Sequence, residues 1–185
     1  GLLLRGEHNF ENVCAAVMAA YLSGVSLKSI QNVLADFKGL EHRLEFAQTI
    51  NGVEYYDDSF SVVPESTIAA IEAFEEPEIL ILGGSSKNSD FTELGQLISG
   101  KGNIKAIIGI GEEWPRIKEH IKSGSILMLE GAKDMPTIVA AAAKVAEQGD
   151  VVILSPACAS FDMFQNYAER GDEFKKIVKQ LGRER

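Results

Sequence analysis

The chain has 185 residues, 45% of them hydrophobic, and a formal net charge of -9, which is enough apolar material for one ordinary domain with a short extra piece. The acidic balance, without a concentrated basic face, excludes nucleic acid as a partner, and no apolar run reaches the roughly 20 residues of a membrane span. Leu2 to Leu4 is too short for a signal peptide and is followed at once by Arg5, and Cys14 and Cys158 lack metal-type spacing, so both read as reduced core thiols of a cytoplasmic protein.

In chain order, Gly1 to Arg5 reads as the tail of a strand. Helical spacing of Val13, Val17, Ala20 and Tyr21 predicts a helix over Asn9 to Tyr21, ended by Gly24. Ser26 caps a second helix, Leu27 to Phe37, and Gly39 stops it. Two helices cannot bury their apolar stripes alone, so this opening segment reads as the last part of another domain or as a docking arm. Strands follow at Leu44 to Ile50 and Val53 to Tyr56, joined by Asn51-Gly52, a strong hairpin signal because both positions of a tight turn need φ > 0.

From Pro64 onward helices and strands alternate. Helices are predicted over Glu65 to Phe74, Phe91 to Ile98, Glu113 to Ile121 and Met135 to Gln148. They alternate with strands at Ile79 to Leu82, Ala106 to Ile110, Ile126 to Leu129 and Val151 to Leu154, and a final helix pair, starting near Phe161, ends near Leu181. Such alternation implies right-handed crossovers and an α/β fold: a Rossmann-like, mainly parallel sheet with flanking helices.

In such sheets ligands bind where strands hand over to helices. Ser160, between the strand ending at Leu154 and the helix expected at Phe161, is either an N-cap or a donor to a bound anion. Gly83-Gly84-Ser85-Ser86-Lys87 follows another strand, and Lys87 offers a compact positive charge on a loop that a ligand can approach closely; a plain flexible turn is equally compatible. Asp57 and Asp58 end the hairpin, where adjacent carboxylates can hold a metal or a ribose hydroxyl, or simply cap a solvated turn. The His42-Arg43 pair can place a guanidinium on a phosphate or join a surface ion pair. Asn9 and Asn12 share one face of the first helix. No G-x-x-x-x-G-K-[ST] spacing occurs, so nothing here cradles a triphosphate in the usual way. A nucleophilic Cys158 finds no base nearby in sequence.

Five ordered segments resemble the Mur ligase family. They are G-x-H-N-x-x-N at Gly6 to Asn12, G-L-x-H-R-x-E at Gly39 to Glu45, Asp58-Ser59, G-G-x-x-K-x-x-D-F at Gly83 to Phe91, and L-S-P-A-C-A-S-x-D-x-F at Leu154 to Phe164, continuing to Arg170-Gly171. The likeness implies that residues 1–39 are the C-terminal end of a central ATPase domain, a two-helix remnant, and that residues 40–185 are the C-terminal amino-acid-binding domain. It implies an ATP-dependent acid–amino-acid ligase, monomeric at full length, that joins D-glutamate to UDP-N-acetylmuramoyl-L-alanine through an acyl phosphate in peptidoglycan precursor synthesis. ATP and Mg2+ would be held mainly by the central domain, so the chain alone would be inactive, and no metal ligand is assigned within it.

Carried over by position, Asn9, Asn12, His42, Arg43 and Asp58 would serve ATP. Lys87, Ser160, Phe161 and Tyr167 would serve the amino acid, and Lys87 and Arg43 would carry the catalytic charge. One segment departs from the family: after Asp-Ser it usually has Lys or an aliphatic residue, then Ala-Thr, where this chain has Phe60, Ser61 and Val62. A cation and a hydroxyl of the amino-acid site are thereby missing, and Lys87 and Ser160 must suffice. Two alternatives remain: a free-standing small-anion or nucleotide-binding module, and a related ligase that adds another amino acid.

Overall fold

The computed structural model describes residues 4–183. Its elements are α1 (Glu7–Leu22), α2 (Leu27–Asp36), β1 (Glu45–Ile50), β2 (Val53–Asp57), α3 (Pro64–Glu72), β3 (Glu78–Gly83), α4 (Thr92–Gly100), β4 (Ile104–Ile110), α5 (Trp114–His120), β5 (Leu127–Leu129), α6 (Met135–Val145), β6 (Val151–Leu154) and α7 (Tyr167–Leu181). The described residues form a six-stranded sheet of order β1-β2-β6-β3-β4-β5. All neighbours are parallel except the β1-β2 hairpin. Asn51 and Gly52 turn that hairpin with φ of 52° and 79°, the left-handed pair that a two-residue turn requires.

The central strands are apolar on both faces because both are covered. On one face Leu80, Leu82, Ile107 and Ile153 meet Ile71 of α3, Leu94 and Ile98 of α4 and Ile117 of α5. On the other, Ile79, Ile81, Ile108, Val152 and Leu154 meet Ile138 and Val139 of α6 and Phe174 and Val178 of α7. From β3 the chain steps outward to β4 and β5 and then returns to β6 on the other side of β3. The order of strands therefore reverses between β3 and β6, and the helices that follow these two strands, α4 and α7, pack on opposite faces of the sheet. A crevice at the carboxyl edge opens at such a point.

Four expectations are corrected. No helix begins at Phe161: residues 161–166 form turns, and a single helix, α7, starts at Tyr167 with the Asn166 side chain accepting from the Glu169 amide. Asn166 out-competes Ser160 as a cap because its carbonyl reaches that free amide while the residues before it are tied in turns. The strand expected at Gly1 to Arg5 lies outside the described residues over Gly1 to Leu3, and Leu4 and Arg5 are not strand. Cys14 is exposed rather than a core thiol, because none of the described residues covers its face of α1, whereas Cys158 is buried as expected. Helix α6 ends at Val145 and not Gln148, since Ala146 is already extended (φ -78°, ψ 140°) and the Glu147 amide donates instead to Asp150 Oδ2 at 2.8 Å.

Helices α1 and α2 form a hairpin with an apolar seam between them, and Ser26 caps α2 by accepting from the Ser29 amide. Phe10, Met18, Tyr21, Leu22 and Val33 remain exposed on it. Arg5 ties this hairpin to the amino edge of the sheet, with Nη1 2.9 Å from Glu76 and Nη2 3.2 Å from Glu54.

Candidate active site

The loops after β3 and β6 are fastened together across the reversal point. Gly83 donates to the Pro156 carbonyl at 2.9 Å, Ser85 donates to the Ala159 carbonyl at 2.9 Å, and the Phe161 amide donates back to Ser85 Oγ at 3.0 Å. Gly84 has φ 148°, and a Cβ there would stand 2.2 Å from the Ala159 carbonyl oxygen, so only glycine permits this approach. The Lys87 loop and the Ser160 loop therefore share one wall of the crevice. Lys87 and Phe161 are exposed, while Ser160 is buried and its carbonyl accepts from Met163 and Phe164.

Arg170 holds this wall from beneath. It is 1% exposed, yet among the described residues no carboxylate bonds to it. Nε donates to Ser59 Oγ and Nη2 to the Ser59 carbonyl, each at 2.9 Å, and the Cys158 and Ala159 carbonyls accept from the remaining N–H groups at 3.2 Å. Ser59 Oγ in turn donates to the Tyr167 carbonyl at 2.7 Å. One guanidinium thus joins the end of β2, the loop after β6 and the start of α7. Burial lowers its pKa to about 10, so it stays charged at neutral pH. The sequence pattern included Arg170 in a motif without assigning it a role; a charged residue at a position facing the core of an amphipathic helix was the available signal.

The Asp57-Asp58 pair is not a solvated turn. Asp57 is fully buried, with Oδ2 2.7 Å from His42 Nδ1 and Oδ1 accepting from the Ser59 amide. Asp58 accepts from the Leu44 amide at 3.0 Å, from Ser155 Oγ at 2.7 Å and from Ser61 Oγ. Burial raises both carboxyls above their ordinary range, Asp58 to about 6. These contacts hold the loop before β1, where His42 and Leu44 are left-handed at φ 61° and 44°. Such strain persists only where the surroundings enforce it. Its product is an Arg43 side chain turned outward between two inward-held neighbours.

Arg43 lies over Phe60, with Cζ 5.9 Å from the ring centroid, and the Phe60 ring meets Tyr167 edge-to-face at 5.0 Å. His42 approaches Tyr167 at 6.0 Å. A cavity of about 150 Å3 opens between Arg43, Leu44, Phe60, Val62, Val63 and Ser66. The position where the family usually has Lys or an aliphatic residue is therefore occupied by an aromatic ring, 44% exposed, that links Arg43 to Tyr167.

Two groups of expected residues stand differently. His42 is 5% exposed and paired with Asp57, so its side chain helps order the loop. Asp58 is likewise turned inward, and a ribose hydroxyl would have to displace one of its donors. Asn9 and Asn12 are not brought to the crevice: Asn9 donates to the Arg5 carbonyl at 2.7 Å at the amino edge of the sheet, and Asn12 is exposed on α1. Hairpin α1-α2 is anchored by Arg5 to Glu54 and Glu76 at the opposite ends of the strands, a placement that helix periodicity cannot reveal.

His42, Glu45 and Asp57 are close enough to share a metal ion, but Lys175 already fills that charge position, with Nζ 2.9 Å from Glu45 and 3.9 Å from Asp57. The cluster is an internal ion network. Cys158 is unsuited to nucleophilic chemistry, since burial pushes its thiol up to about 12.

Comparison with known proteins shows the family from sequence and the fold from solved structures. The family model described as the glutamate ligase domain of Mur ligases matches residues 42–158. UDP-N-acetylmuramoylalanine--D-glutamate ligases of Thermoanaerobacter sp. (strain X514) and Acidobacterium capsulatum are 44% and 45% identical over 98% and 95% of this chain, which covers 40% and 37% of them. The chain thus spans about 40% of the length of such relatives. In fold it is similar to the MurF ligase of Thermotoga maritima in complex with ADP, with TM-score 0.67 and 21% identity over 95% of this chain and 40% of that one. It is also similar to the folylpolyglutamate synthase of Thermotoga maritima, with TM-score 0.56 and 19% identity over 88% of this chain and 38% of that one. A parallel sheet whose β3 and β6 loops close on one crevice, and a family match running from His42 to Cys158, lead to the same conclusion: the chain belongs to the Mur ligase family and carries its glutamate ligase domain.

Proposed function

We propose that this chain is the C-terminal part of a cytoplasmic, ATP-dependent ligase that adds D-glutamate to UDP-N-acetylmuramoyl-L-alanine in peptidoglycan precursor synthesis. Residues 1–39 are the end of a central ATPase domain, and residues 40–185 form the amino-acid-binding domain. The observation that carries this assignment is the joining of the Lys87 and Ser160 loops at the strand-order reversal, in a chain more than 40% identical to enzymes bearing that name. Lys87 supplies the positive charge for a carboxylate of the incoming amino acid, Ser160, Phe161 and Tyr167 shape its seat, and Arg43 faces nucleotide phosphate.

In this chemistry the amine attacks an acyl phosphate and phosphate leaves. Negative charge that develops on oxygen is stabilised by fixed cations that need no reorganisation. Arg43 suits this role because it is exposed, outward and backed by Phe60. The acidic groups at this edge do not fit Mg2+, because Asp57 and Asp58 are already engaged by internal donors. Mg2+ and most of ATP are therefore assigned to the preceding part of the protein.

In the full-length ligase, Lys87→Ala should raise the KM for D-glutamate by about tenfold or more, so that phosphate release falls steeply at low D-glutamate but stays measurable at high D-glutamate, and should leave the thermal unfolding profile in place. Unchanged turnover in a coupled phosphate assay would refute the role of Lys87, and equal turnover with other amino acids would refute the choice of D-glutamate.

A further inference from the structure

The Lys87 loop runs from Ser85, which is bridged to Ala159, to Thr92 at the start of α4. Between these points its bonds are mostly internal. Ser86 Oγ accepts from the Asn88 amide, and Asp90 Oδ1 accepts from the Thr92 amide and hydroxyl. Among the described residues, one hydrogen bond reaches residues 86–90 from elsewhere: Arg116 on α5 donates through Nη2 to the Ser89 carbonyl at 3.1 Å.

This guanidinium is not a loose surface charge. Its Nη1 donates to the Glu113 carboxylate, which is 5% exposed, and its Cζ lies 5.5 Å from the centroid of the buried Phe91 ring. The segment beneath it is fastened to both crevice loops, since the Glu113 amide donates to the Gly84 carbonyl at 2.9 Å and the Glu112 amide to Asp162 Oδ2 at 3.2 Å. A planar fork with several N–H groups can hold Glu113 and Ser89 at once, which a single ammonium cannot do in the same geometry.

We propose that Arg116 is a positioning residue for the amino-acid site, gripping the loop at Ser89 so that Lys87 is held toward the substrate carboxylate before binding. This rests on the role given to Lys87. A loop ordered in advance costs less to immobilise when the ligand arrives, so loss of the grip should fall on amino-acid affinity and leave nucleotide affinity alone.

The test is steady-state kinetics on the full-length ligase with D-glutamate, UDP-N-acetylmuramoyl-L-alanine and ATP varied in turn. Arg116→Met should raise the KM for D-glutamate about tenfold, the size of one charge-assisted hydrogen bond, with the KM for ATP unchanged. Arg116→Lys should fail to restore it. In a Lys87→Ala background, which is expected to have raised the D-glutamate KM already, Arg116→Met should add nothing. An unchanged KM in Arg116→Met beside a raised one in Lys87→Ala overturns the role of Arg116 alone. An equal rise for D-glutamate and ATP, or an additive loss in the double variant, also overturns it and marks Arg116 as merely structural. An unchanged D-glutamate KM in Lys87→Ala overturns the assignment of Lys87, and this proposal with it.

Discussion

Arg170 shows what a single residue does in this molecule. A buried guanidinium normally needs a carboxylate, but here Ser59 and the Cys158 and Ala159 carbonyls together take its donors. Carbonyl oxygens carry partial charge in fixed directions, so they satisfy the fork while drawing three chain segments together. Removing the fork would leave the Ser59 and Cys158 carbonyls without their donor, while the Ala159 carbonyl keeps the Ser85 amide, at about 1–3 kcal/mol for each orphaned acceptor. Arg170→Met should therefore lower the free energy of unfolding by at least about 2 kcal/mol, read from urea titration. A loss below about 1 kcal/mol would show that water replaces the fork. Phe60 illustrates the opposite case, an exposed aromatic that stabilises little by burial and instead orders Arg43 and Tyr167 through its ring faces and edges.

At the scale of elements, the crevice depends on how two strand ends are allowed to approach. The Ser85–Ala159 bridge forms because Gly84 has no side chain at 2.2 Å from the Ala159 oxygen. Gly84→Ala combines a φ near 148° with that clash and should cost about 1–3 kcal/mol. Glutamate-dependent phosphate release should fall more steeply than stability; activity lost only in proportion to unfolded protein would contradict this. The start of α7 offers a milder lesion. Asn166 caps the Glu169 amide at 2.9 Å, so Asn166→Ala should cost about 1 kcal/mol. Differential scanning calorimetry should show a lowered melting point, and no change would mean that the turn before α7 caps the helix without it.

For the molecule as a whole, charge is distributed unevenly between the two edges of the sheet. At the amino edge, Glu78 is fully buried with Lys101 Nζ 2.6 Å from Oε1, while Oε2 has no partner. Burial outweighs the ion pair and raises this carboxyl to about 7 from an ordinary 4.5. Between those values the folded state binds more protons than the unfolded state, so the contribution of Glu78 is greatest at low pH and is lost as pH rises through the window. Relative to the native chain, Glu78→Gln should gain stability steadily between about pH 4.5 and about pH 7 and level off above it. A pH-independent difference in unfolding free energy would refute the shift. The same edge carries the α1-α2 hairpin through Arg5, away from the crevice.

The α/β class, the hairpin at Asn51-Gly52, the parallel strands and the loops bearing Lys87 and Ser160 were legible because each depends on local periodicity or on a backbone conformation that few residues adopt. The family resemblance was legible for the same reason: its motifs are short, ordered runs at strand ends. Strand order, however, is a tertiary property, and with it came the reversal point between β3 and β6 that makes two distant loops neighbours. Burial of Asp57, Asp58 and His42, the fork of Arg170 and the grip of Arg116 on Ser89 were equally hidden, since each joins segments far apart in the chain. The helix expected at Phe161 failed because a serine after a strand resembles a cap locally, while the turns at 161–166 and the Asn166 cap start the helix at Tyr167. Sequence alone determined which residues can carry charge at the carboxyl edge. Only the packing of β2, β6 and α7 decided which of them face the crevice and which are spent holding it together.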